Sequence, residues 1–141
     1  MPEYTNAAVQ TVAANQNVLF TSTPVGCNTG DGIRREGSGI ATLHGVTNQC
    51  RARYRVSFVG NIAVPTGGTA GAISVSLAIN GEPLPASTAI VTPAAVEEYF
   101  NVSLDTFVDV PRGCCVTVAV RNITATPINV QNANMIITRE A

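Results

Sequence analysis

Hydrophobic and polar residues alternate with a period of two along most of the chain, and no stretch carries the 3.6-residue spacing of a long amphipathic helix. Between residues 50 and 59, Ala52, Tyr54, Val56 and Phe58 fall on one side and Arg51, Arg53, Arg55 and Ser57 on the other, because successive side chains of a strand point to opposite faces. The first set is assigned to the core. Ile73, Val75, Leu77 and Ile79 alternate with Ser74, Ser76 and Ala78, and Val116, Val118 and Val120 with Thr117, Ala119 and Arg121, which marks two more half-buried strands. The pattern predicts strands near Ala7–Ala14, Asn17–Thr21, Gly39–Val46, Cys50–Val59, Ala72–Ile79, Thr88–Val91, Val96–Leu104, Cys114–Asn122 and Ile128–Thr138.

Turn residues separate these runs. Asn80-Gly81 is a hairpin signal, since both residues tolerate positive φ, and Pro83 and Pro85 just after it cannot donate to a ladder. Pro111-Arg112-Gly113 marks a second turn. Gly26–Gly39 and Pro65–Gly71 read as exposed loops, and neither a repeat nor a linker interrupts the chain. About nine short strands in 141 residues fit one double-sheet sandwich or jelly roll spanning residues 1–141, with residues 1–16 as an N-terminal strand or arm.

Composition agrees with an all-β core. Val, Ile and Thr make up 44 of 141 residues, and these β-branched side chains favour a pleated surface. Val, Ile, Leu and Phe together make up 37, above the roughly one fifth below which chains stay disordered. Charge changes the picture more. Only 12% of residues are charged, every basic residue is Arg, and the net charge is −1, against about 25% charged residues in an ordinary soluble domain. That balance lacks the basic footprint of nucleic-acid binding, and part of the surface is expected to lie between protomers or to be an uncharged, hydrogen-bonding exterior. No apolar run is long enough to insert in a membrane, and residues 1–6 carry neither the basic nor the apolar region of a secretory signal. The chain is therefore expected to be used without Sec export or to be already processed.

Two strand-and-turn segments, Tyr54-Arg-Val-Ser-Phe-Val-Gly-Asn61 and Gly71-Ala-Ile-Ser-Val-Ser-Leu-Ala-Ile-Asn-Gly-Glu-Pro-Leu-Pro85, resemble the C-terminal domains of bacterial collagen-like spore-surface glycoproteins. The ending Asn132-Ala-Asn-Met-Ile-Ile-Thr-Arg-Glu-Ala141 resembles their last strand. The chain is also similar to uncharacterised Firmicutes phage and prophage proteins through Asp109-Val-Pro-Arg-Gly-Cys-Cys-Val-Thr-Val118 and Val130-Gln-Asn-Ala-Asn134. The spore-type resemblance implies a tumour-necrosis-factor/C1q jelly roll that forms homotrimers, with the last strand central in its sheet and packed against the trimer axis. Met135, Ile136 and Ile137 become candidates for the trimer interface. Met135 and Ile137 lie on one face of that strand and Ile136 on the other, and the sequence leaves open which face meets the axis.

Candidate chemistry is sparse. His44 is the only histidine and is expected to be an ordinary strand residue rather than a catalyst. Glu97 and Glu98 are neighbours on what reads as one strand, hence on opposite faces and not an acid/base pair. Asp31 in Gly30-Asp31-Gly32 falls short of a calcium cage. Asn101-Val-Ser103 and Asn122-Ile-Thr124 match the glycosylation pattern by chance composition. No catalytic, cofactor or metal site is expected. Arg51, Arg53 and Arg55 form a stripe suited either to an anion or to contacts between protomers. Cys27, Cys50, Cys114 and Cys115 are free thiols or disulfide partners; Cys50 and the Cys114-Cys115 pair each open a strand after a turn, which allows them to meet at one end of the sandwich. The expected function is that of a non-enzymatic structural protein of a phage or prophage virion, a homotrimeric capsid decoration or head or tail accessory module assembled in the bacterial cytoplasm. Its partners would be its own copies and a capsid or other virion protein. The alternative is a spore- or cell-surface module that recognises glycans or a receptor through its loops.

Overall fold

A computed structural model describes residues 3–20, 22–25, 33–35, 39–45 and 48–140. Every regular element among them is a strand: β1 (Glu3–Asn6), β2 (Gln10–Val12), β3 (Ser22–Val25), β4 (Ile33–Arg35), β5 (Ala41–His44), β6 (Arg51–Ala63), β7 (Ile73–Ile79), β8 (Glu82–Val91), β9 (Phe100–Pro111), β10 (Cys115–Asn122) and β11 (Ile128–Arg139). All pairings are antiparallel. One sheet has the order β3-β1-β11-β6-β9, with β2 also on β11; the other has the order β4-β5-β10-β7-β8. The two inner faces enclose one apolar core, in the sandwich winding that the strand count predicts.

β6 shows how the sequence makes this architecture. Ala52, Tyr54, Val56 and Phe58 are fully buried, as the alternation requires, and Ile62 continues the inward set beyond Gly60. The sequence pattern ends this strand at Val59 because glycine usually punctuates. Here Gly60 makes room instead: a Cβ there would lie 3.0 Å from Phe58 Cζ, so the missing side chain accommodates the ring. Phe58 in turn meets Phe20 edge to face, with centroids 6.3 Å apart. Tyr54 buries its ring and donates its hydroxyl to the His44 carbonyl at 2.7 Å, tying the first sheet to the end of β5 in the second.

Several strands differ from their predicted limits. The expected strand Ala7–Ala14 is shortened to β2, and β1 precedes its expected start; the two pair with different parts of β11 on either side of a break at residues 7–9. Asn6 caps that break by accepting a hydrogen bond from the Ala8 N–H. The expected strand Asn17–Thr21 is reduced to one bridge between Asn17 and Arg121, although Val18 still donates to the Val120 carbonyl at 2.8 Å; Thr21 lies outside the described residues. Within the expected loop Gly26–Gly39, residues 33–35 are strand β4, paired with β5.

The other large differences concern β8 and β9. β8 begins at Glu82 rather than Thr88, because it is an edge strand where the absent N–H groups of Pro83 and Pro85 need no partner; a register shift opposite Ser76 and Ala78 takes up residues 84–87. The turn before it is as expected, with Asn80 at φ 52° and Gly81 at φ 85°. β9 begins at Phe100 rather than Val96 and runs on past Leu104. Val102, Leu104, Val108 and Val110 keep one inward period, while Asp105 and Asp109 sit on the outward side.

β11 matches its prediction within one residue and lies between β1 and β6 in the middle of its sheet, as the family resemblance implies. Asn132, at φ 56°, marks a bulge against β6 between Gln131 and Asn134.

Candidate functional site

The outward face of the β11 sheet collects four of the sequence-predicted site residues, Arg51, Arg53, Arg55 and Ile136. Its central strands present Asn134, Ile136 and Thr138 from β11 and Arg53, Arg55, Ser57 and Val59 from β6, while β9 adds Asp105, Phe107 and Asp109 at the flank. Val59 is 45% exposed and Phe107 62%, and Ile136 is half-buried. Met135 and Ile137 are not available to another protomer: at 1% and 0% exposure they are spent in the core of their own. Of the three interface candidates, only Ile136 faces outward, and the strand period explains why.

Each arginine of the stripe faces a carboxylate of its own protomer, with Arg51 and Arg53 sharing Asp109. Arg53 makes a bidentate pair with Asp109, Nε to Oδ1 at 2.7 Å and Nη2 to Oδ2 at 3.1 Å. Arg55 reaches diagonally to Asp105, with Nη2 to Oδ2 at 2.5 Å, and Ser57 donates to the same carboxylate at 3.2 Å. Arg51 lies 3.4 Å from Asp109 and is the most exposed of the three. The hydrogen bond from Arg55 holds the Asp105 carboxyl below its usual range, and the hydrogen bond from Arg53 does the same for Asp109. The same bonds raise both guanidinium groups further above neutrality. Arg53 and Arg55 therefore already bind carboxylates, and an incoming anion would have to compete with them. These partners lie some fifty residues away in sequence. The available signal is the spacing Asp105-x-Phe107-x-Asp109, which puts both acids on one strand face beside an aromatic ring.

A second cluster lies at one end of the sandwich. The Arg112 N–H donates to the Cys50 carbonyl at 3.0 Å and the Gly45 N–H to the Cys114 carbonyl at 2.9 Å, so the turns before β6 and β10 meet there. Cys50, Cys114 and Cys115 are exposed free thiols; Cys27 lies outside the described residues. Cys115 stands directly opposite His44 across the β10–β5 ladder, with Sγ 3.0 Å from Nδ1. Sequence reasoning placed His44 on its strand and missed this partner, because a pairing register is not written in either strand alone.

The remaining polar candidates have local explanations. Glu97 lies in a turn before β9 at φ 58°, not on a strand; it donates its N–H to the Val64 carbonyl and accepts from Thr66 Oγ1. Asn122 is fully buried, donating to the carbonyls of Val12, Ala13 and Thr126 and accepting from the Thr124 N–H. That sequon is closed to a glycan, whereas Asn101 is exposed and donates to Asn61. Asp31 lies outside the described residues. One cleft of about 310 Å³ is lined by Gln10, Thr11, Val12, Ala13, Gln16, Asn17 and Leu19, and another of about 360 Å³ by residues 64–69 with Thr126 and Pro127. Neither lining contains an acid, a histidine or a cysteine. Among the described residues no three His, Cys, Asp or Glu side chains group as metal ligands.

No protein-family model and no curated protein matches the chain. Among solved structures it is similar to the Eiger TNF of S. frugiperda, at 12% identity over 100% of this chain and 94% of that one, with a TM-score of 0.67. It is also similar to the globular domain of the zebrafish complement 1qA protein, at 10% identity over 96% of this chain and 94% of that one, with a TM-score of 0.53. At such identities the likeness is one of fold, and the fold is a TNF/C1q-like antiparallel jelly roll.

Proposed function

We propose that this jelly roll is a non-enzymatic, homotrimeric structural module of a bacteriophage or prophage virion, a capsid decoration or a head or tail accessory protein assembled in the bacterial cytoplasm. The observation that carries self-association is the outward face of β11 and β6. It places Ile136 and the exposed Val59 on the two central strands, and its flanking arginines are already paired with Asp105 and Asp109. Such a face suits burial against another copy, since its apolar centre gains by losing water and its charges keep their partners when desolvated. The small charged fraction of the whole chain, 12% without lysine, supports the same reading. Placement in a virion rests on the resemblance to phage and prophage proteins.

Native mass spectrometry at micromolar concentration tests the assembly, with a trimer as the expected mass and a monomer as the result that removes it. Proteomics of purified particles from a producing host tests the virion. Particles that never contain the chain would move the assignment to a spore- or cell-surface recognition module. That reading draws on the loop at residues 65–71, whose first part lines the larger cleft and which is open to a glycan or a receptor.

A further inference from the structure

Cys115 and His44 form a thiol–imidazole pair on the outward face of the second sheet, away from the face proposed for self-association. Leu43 and Val116, one position along on β5 and β10, point into the core, which fixes His44 and Cys115 outward. The pair is firmly seated. Tyr54 holds the His44 carbonyl, Gly45 donates to Cys114, Gly113 donates to Gly45 at 3.1 Å, and Cys114 donates to Pro111 at 3.0 Å. The packing of this turn is close enough that a Cβ on Gly45 would sit 2.1 Å from the Pro111 carbonyl oxygen. Cys50 and Cys114 are exposed at the same end, but the sulfur–imidazole contact is Cys115's.

We infer that Cys115 is, among the described cysteines, the exchange thiol, with His44 as its proton acceptor, and that it takes up small disulfides as a mixed disulfide. As the Cys115 sulfur attacks one sulfur of a disulfide R–S–S–R, its proton passes to His44 Nδ1. A bond forms between Cys115 Sγ and that sulfur, the original S–S bond breaks, and the departing thiolate takes the proton back from the imidazolium to leave as R–SH. Cys115 is oxidised to the mixed disulfide and one half of R–S–S–R is reduced to the thiol, so electrons balance. The reaction needs a thiolate and access to it, and the geometry supplies a proton acceptor at 3.0 Å and an exposed sulfur.

The test uses the reduced, full-length chain and 5,5′-dithiobis(2-nitrobenzoate) as the small disulfide, with tandem mass spectrometry assigning the adduct to each cysteine over time. Cys115 is expected to be labelled about tenfold faster than Cys50 or Cys114, as for a thiol whose proton has a waiting acceptor. His44→Gln should bring Cys115 down to the rate of the other two while leaving theirs unchanged, a readout that loss of packing alone would not give. Equal rates at Cys50, Cys114 and Cys115 of the unsubstituted chain would overturn the assignment, as would a Cys115 rate unaffected by His44→Gln in a chain with an unaltered circular dichroism spectrum.

Discussion

Phe58 and Arg53 sit on the same strand and point in opposite directions, and their energetics should diverge accordingly. Phe58 is fully buried against Phe20, so Phe58→Ala leaves a cavity and is expected to cost about 3–5 kcal/mol. Arg53 is exposed and its pair with Asp109 is open to solvent, so Arg53→Ala should leave the urea midpoint almost where it was. Equal losses in urea denaturation would contradict the assigned register. Asn122 is the polar counterpart of Phe58. Its amide satisfies the carbonyls of Val12, Ala13 and Thr126 in the interior, and Asn122→Leu should be strongly destabilising, by about 1–3 kcal/mol for stranded buried groups.

At the scale of elements, the arginine–aspartate ladder between β6 and β9 makes a prediction about acid. Both carboxyls titrate below their ordinary value when folded, so their contribution is present above the ordinary carboxylate pKa of about 4 and is lost as pH falls through the lowered values. The double variant Asp105→Asn, Asp109→Asn should therefore approach the parent in melting temperature on moving from pH 7 to pH 2.5, and a constant gap across that range would sink the assignment. The ladder also shows what the sequence disclosed. The inward period of β6, β7 and β10 is legible in the sequence, because burial is a local consequence of alternation. On β11, alternation separates Met135 and Ile137 from Ile136 without saying which side is the core, and on β7 and β10 Ser76, Ala78 and Ala119 of the expected outward set are buried as well. The pairing of Arg53 with Asp109 and of His44 with Cys115 is not legible there, since each depends on a register set by the whole sandwich. Prolines in β8 and glycine in β6 misled for a related reason: Pro83 is harmless only at a sheet edge, and Gly60 useful only under a ring.

For the whole molecule, the proposed trimer separates two neighbours on β11. Ile136→Asp should return the assembly to monomers in native mass spectrometry while each monomer keeps its fold, because the side chain points outward. Met135→Ala, at an almost fully buried position, should instead lower the melting temperature, with the cavity costing about 2–5 kcal/mol. Replacing residues 65–71 with a neutral Gly-Ser loop should leave the trimer intact and prevent incorporation into particles, if that loop is the contact with the larger assembly.

The central place of β11 also sets a timetable for synthesis. β1 and β6, which flank it, leave the ribosome well before residues 128–139 do, and until those residues emerge the two strands face an empty slot with unpaired backbone on both sides. Closing that slot joins parts of the chain more than one hundred and thirty residues apart, as between Glu3 and Ile136, and such long-range closure is slow. A nascent chain should thus remain digestible by protease until the last strand is out. A message cut short before residue 128 then yields no half-built module to compete for a place in an assembly, only a chain that is cleared.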